Sequence, residues 1–131
     1  MGPTVDLELV WERDMLFHGR TGSLEIALDG NGREAVSPVQ ALAFALASCM
    51  ASDVVLILTR GRQPLEGLTA RLHAQRAEKD PRRLLRVELR FEVRGAVPGD
   101  KVQRAIDLSR ETYCSVWHSL NPDIDLLVAV S

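Results

Sequence analysis

The chain has 131 residues, 46% of them hydrophobic and 26% charged, the proportions of one ordinary globular domain rather than a disordered tail or a fibre. Sixteen Lys and Arg against eighteen Asp and Glu leave a formal charge of −2, so no broad positive field exists for phosphates, and no nucleic-acid partner is expected. Two cysteines cannot make a disulfide scaffold, and in a reducing cytoplasm they are either inert core residues or a working pair.

The start, MGPTVDLELV, lacks a basic stretch followed by an apolar one, so no signal peptide is expected and the expected compartment is the cytoplasm. Val5 to Trp11 alternates, with Val5, Leu7, Leu9 and Trp11 on one face. Glu12-Arg13-Asp14 is a polar turn, and Met15 to His18 reads as a returning strand. Leu24 to Leu28 alternates again and ends on the turn residues Asp29-Gly30-Asn31-Gly32. The first third is therefore a three-strand meander.

Ser37-Pro38-Val39-Gln40 opens a helix: Ser37 caps, Pro38 suits the first helical position, and Gln40 completes a capping box. The helix runs to about Arg60, with Gly61 as its stop, and is roughly 33 Å long. Its length and composition would span a bilayer. Asp53 lies inside it, however, and no second apolar run supplies a partner helix, so a deeply buried soluble helix is expected and no membrane. A helix apolar nearly all round must be covered on most sides, and little of this chain is left to cover it. A second subunit is inferred.

Leu65 to Glu78 and Arg83 to Arg94 form a hairpin turning at Lys79-Asp80-Pro81, with Leu85, Val87, Leu89, Phe91 and Val93 on its dry face. Pro98-Gly99-Asp100 opens a second helix, capped by Asp100 with Gln103 in a capping box, which runs to Asn121-Pro122. Ile124, Leu126 and Val128 alternate in a last strand. The order β-β-β-α-β-β-α-β over residues 1–131 is an α+β plan, expected as a single domain.

Cys49 and Cys114 are the candidate nucleophiles, and each also fits an inert core cysteine. Twelve residues separate Cys49 from Ser37, too far for the helix dipole to help a thiolate, and Asp53 opposes one. A reactive Cys49 therefore needs a cation from elsewhere; Arg13, Arg20 and Arg33 are the candidates. Cys114 and His118 are one helical turn apart and with Cys49 offer three soft ligands, short of a closed zinc site, so neither metal nor cofactor is expected.

Residues 37–58, SPVQALAFALASCMASDVVLIL, resemble the cysteine helix of the OsmC/Ohr family. AIDLS (105–109) followed by YCSV (113–116) is similar to that family's second cysteine motif, and the likeness is greatest to its YhfA-like branch. The resemblance implies an OsmC-like fold, an intertwined homodimer with the long cysteine helices packed centrally, and thiol peroxidase activity on organic hydroperoxides or hydrogen peroxide. It further implies that Cys49 is the peroxidatic thiolate, that Cys114 resolves its sulfenic acid as a disulfide, and that an external dithiol resets the pair. Arg20, in Gly19-Arg20-Thr21-Gly22, is taken for the family's arginine. The family's Glu near the start of the cysteine helix has no counterpart here, where Val39 and Gln40 stand. That gap keeps a second expectation open: a non-catalytic module of the same fold that binds a small apolar ligand.

Overall fold

The computed structural model describes residues 1–131. It contains two compact units, Met1–Leu42 and Ala43–Ser131. The observed order is β-β-β-α-β-β-α-β, as the periodicities predict.

In the first unit β1 (Glu8–Arg13), β2 (Leu16–Thr21) and β3 (Leu24–Asp29) form an antiparallel meander in that order. β1 starts three residues later than the alternation suggested, because Val5 and Leu7 have no strand partner. The Asp29 carboxylate is buried and accepts the backbone N–H groups of Asn31 (2.7 Å) and Glu34 (3.0 Å). These bonds tie down the turn at 29–34 and hold the carboxyl below its ordinary range. The expected apolar face is not covered within the chain: Leu9 is 50% exposed, Trp11 64%, Leu24 70% and Ile26 52%.

The first long helix, α1 (Pro38–Arg60), begins at the proline and stops before Gly61, as expected. The capping box is present: the Ser37 N–H donates to Gln40 Oε1 at 2.9 Å, and the Gln40 N–H donates to Ser37 Oγ at 3.2 Å. As expected, little of this chain covers α1. Only the four-residue stripe Leu46, Met50, Val54 and Leu58 is buried, while Phe44, Ser48, Ser52, Val55 and Leu56 are exposed. By length and composition α1 could cross a membrane.

In the second unit β4 (Gly67–Arg76) and β5 (Leu84–Arg94) make the long antiparallel hairpin, and β6 (Asp125–Val130) joins β5 in parallel. A register shift between Gln75 and Arg76 changes the phase at one end of the hairpin. Leu84 therefore turns inward and Leu85 outward, so Leu85 does not belong to the dry face with Val87, Leu89 and Phe91. Gly95 closes the hairpin's open end at φ +113°, where a Cβ would collide with the Pro64 carbonyl.

The second helix differs most from expectation. α2 (Gly99–Leu108) starts two residues early, with Pro98 at the cap and no side-chain cap bond, so Asp100 is not the cap. Gln103 does not close a capping box; its amide donates to Asp107 Oδ1 at 2.9 Å. Nor is the helix continuous to Asn121. It widens into a π-turn at Ser109–Tyr113, breaks at Cys114, and resumes as the single turn α3 (Ser115–His118). With the α1 stripe, the inward residues of β5 and Val102, Ala105 and Ile106 of α2 form the core of this unit.

Candidate functional site

Cys49 sits halfway along α1 and is half-buried; Cys114 sits at the break after the π-turn and has no exposed surface. Their side chains lie 3.5 Å apart. They are not joined. The S–S bond of a disulfide is about 2.05 Å, so the two must move closer to form one.

The chain turns sharply to bring Cys114 there. Its N–H donates to the Ser109 carbonyl at 2.8 Å, ending the π-turn, and at φ −73°, ψ 97° the backbone is extended for one residue. Its sulfur then accepts the Trp117 N–H at 3.3 Å and caps α3. One residue thus closes one helical segment and opens the next, and its side chain is pinned at the junction.

Burial pushes the Cys114 thiol up to about 11. The Trp117 N–H opposes this, while the hydrogen bond shared with Cys49 and the charges of Cys49 and Asp53 add to it. Cys114 is therefore a thiol at neutral pH. Asp53, one turn after Cys49 on α1, accepts a 2.7 Å hydrogen bond from the buried Ser109 hydroxyl. A hydrogen bond to a charged group contributes roughly 1.5–3 kcal/mol, which offsets the placement of a carboxylate in an otherwise uncharged stretch of helix.

His118 is directed away from a metal role: its Nε2 lies 2.9 Å from the Arg110 carbonyl. Cys49, Cys114 and His118 do not gather into a set of metal ligands. Arg20 lies on β2, where its Nη2 donates to Glu25 of β3 at 2.7 Å, across a directly paired position. Arg13 is engaged by both terminal nitrogens, at 2.8 and 2.9 Å, in a fork with Glu34. The fork raises the arginine and lowers the carboxyl relative to their ordinary values. Sequence reasoning missed this pair. Glu34 stands only four residues before the helix, but nothing local signals a partner 21 positions upstream.

The order of strands and helices is matched in known proteins. Residues 30–128 match the model of the OsmC-like protein family. The chain belongs to the OsmC-like family. It is 40% identical over 119 residues to Protein YhfA of Escherichia coli K12, covering 88% of this chain and 89% of that one. A hypothetical protein from Aquifex aeolicus VF5 superposes with a TM-score of 0.92 at 26% identity, over 99% of this chain and 96% of the other. An organic hydroperoxide resistance protein OsmC from Legionella pneumophila shares the fold, with a TM-score of 0.71 at 17% identity over 98% and 97% of the two chains. Family membership therefore accounts for the α+β OsmC-like fold, and the family includes organic hydroperoxide resistance proteins.

Proposed function

We propose that this protein is a thiol-dependent peroxidase that reduces small organic hydroperoxides or hydrogen peroxide through Cys49 and Cys114. The observation that carries this reading is the 3.5 Å approach of a half-buried cysteine to a fully buried one. The accessible sulfur, Cys49, attacks the terminal peroxide oxygen as a thiolate. The O–O bond breaks, the alcohol or water leaves, and Cys49 becomes a sulfenic acid. Cys114, held beside it as a thiol, displaces water and closes the disulfide. An external dithiol returns the pair to the reduced state.

The cation that a Cys49 thiolate requires is assigned to Arg20. Its Nη2 holds Glu25 and Arg13 is forked with Glu34, so the choice of Arg20 rests on the family resemblance. The working form is a homodimer in the cytoplasm. The exposed apolar residues of α1 and of the β1–β3 sheet support a second subunit as their cover, since such surface is unusual on a monomer. The decisive test is turnover. Purified protein with a dithiol reductant consumes cumene hydroperoxide, and Cys49→Ser abolishes consumption.

The second reading, a binding module for a small apolar ligand, has one observation in its favour. Val5, Leu7, Leu9, Leu24 and Ile26 line a concavity of about 310 Å³ in the first unit. Under that reading native mass spectrometry finds a bound apolar molecule and the protein shows no turnover with any peroxide.

A further inference from the structure

Two neighbouring turns of α1 each reach the segment that carries Cys114. The first contact is direct, through Cys49. The second runs through Asp53: its Oδ2 accepts the Ser109 hydroxyl at 2.7 Å, and the Ser109 carbonyl accepts the Cys114 N–H at 2.8 Å. Ser109 has no exposed surface, so water does not compete for its hydroxyl. Between Ser109 and Cys114 the backbone forms the π-turn, a rare geometry that something else must hold in place. Its first residue is anchored by the Ser109 hydroxyl donating to Asp53, and its second by His118 Nε2 on the Arg110 carbonyl.

We infer that Asp53 is a positioning residue: through Ser109 it holds the π-turn in the register that sets Cys114 against Cys49, so that the second sulfur closes a disulfide once the first is oxidised. This rests on the two cysteines being a working redox pair. In the closing step the Cys49 S–O bond breaks, the Cys114 sulfur forms the S–S bond, and the Cys114 proton leaves with the hydroxide as water. The oxidising equivalents are those already stored in the sulfenic acid.

The same carboxylate adds to the burial that keeps Cys114 protonated. Burial is the largest influence disfavouring the Cys114 thiolate; the charges of Cys49 and Asp53, both from α1, add to it, against the Trp117 N–H. Cys114 thus stays protonated while Cys49 meets the oxidant. A serine partner that merely satisfied a buried carboxylate would be indifferent to that charge, and this difference makes the assignment testable.

The test uses the reduced full-length protein and diamide, which takes two electrons and two protons from two thiols and needs no peroxide site. Disulfide closure is followed by quenching with an alkylating agent and measuring intact mass. Asp53→Ala and Ser109→Ala each slow closure roughly tenfold or more. Asp53→Asn, which keeps an oxygen acceptor for Ser109 and loses only the charge, closes within a few-fold of wild type. In a Cys49→Ser background, Asp53→Asn also moves the pH midpoint of Cys114 alkylation downward. Should Asp53→Ala not fold, Ser109→Ala and Asp53→Asn carry the test. Closure in Ser109→Ala at the wild-type rate, or an unmoved Cys114 midpoint in Asp53→Asn, overturns the assignment. A wild-type protein that forms no disulfide with diamide defeats the redox pair itself, an outcome distinct from variants that merely match wild type.

Discussion

Cys49 and Cys114 meet side chain to side chain at 3.5 Å, across 65 positions of sequence, yet they are placed by different means. Cys49 projects from the middle of an unbroken helix, while Cys114 sits where a helix fails, between a π-turn and a single α turn. The first sulfur has a rigid base and partial access. The second is buried, capped and protonated. That asymmetry is what a two-step thiol reaction needs, since one group must meet the oxidant and the other must wait.

Removing the waiting sulfur separates the steps. Cys114→Ser leaves the first reaction with hydroperoxide intact but stops multiple turnover with a dithiol that depends on the disulfide. Intact-mass measurements then find oxygen added at Cys49, as sulfenic and then sulfinic acid, in place of the disulfide. Cys114→Ala also removes the acceptor for the Trp117 N–H and costs about 1 kcal/mol in urea unfolding.

Alkaline pH acts on the reduced protein through Cys114. Its thiol titrates near 9 when unfolded and is pushed up to about 11 when folded, so between these values the folded state holds a proton that the unfolded state has lost. The stabilisation is complete below about pH 9 and disappears as pH rises towards about 11. Urea midpoints of the reduced wild type fall across this window, and the fall is smaller in Cys114→Ala.

Arg20→Ala lowers the alkylation rate of Cys49 at neutral pH by about tenfold, as expected when a thiolate loses its cation. Arg13→Ala, whose side chain is occupied by Glu34, has the smaller effect. Equal rates in wild type and Arg20→Ala remove Arg20 from the site.

The α1 helix and its start were legible in the sequence because they depend on local chemistry: Ser37, Pro38 and Gln40 form a capping box from residues three apart. The hairpin and last strand followed from two-residue alternation. The break at Cys114 was not legible, since Val102 to Leu120 keeps helical spacing throughout; the π-turn depends on Ser109 finding Asp53, 56 positions away. Leu85 was misplaced for a related reason, because a one-residue register shift inverts a face without altering the pattern. The cysteine pairing came from the family resemblance rather than from periodicity. The Arg13–Glu34 fork, between two exposed side chains, leaves no trace in periodicity at all.

Core and interface respond to different changes. Phe91 is fully buried on β5, so Phe91→Ala costs about 3–5 kcal/mol in urea unfolding. Leu56 is 46% exposed on α1, so Leu56→Arg has little to disrupt within one chain. Sedimentation velocity is expected to show a dimer for wild type and a shift towards monomer for Leu56→Arg. A wild-type monomer at micromolar concentration contradicts the second subunit.

The most direct measurement is the intact mass of the reduced protein after one equivalent of cumene hydroperoxide. Loss of two hydrogens with stoichiometric cumyl alcohol, and a peptide map joining Cys49 to Cys114, is the expected result. Unconsumed peroxide over a protein that retains both free thiols contradicts it.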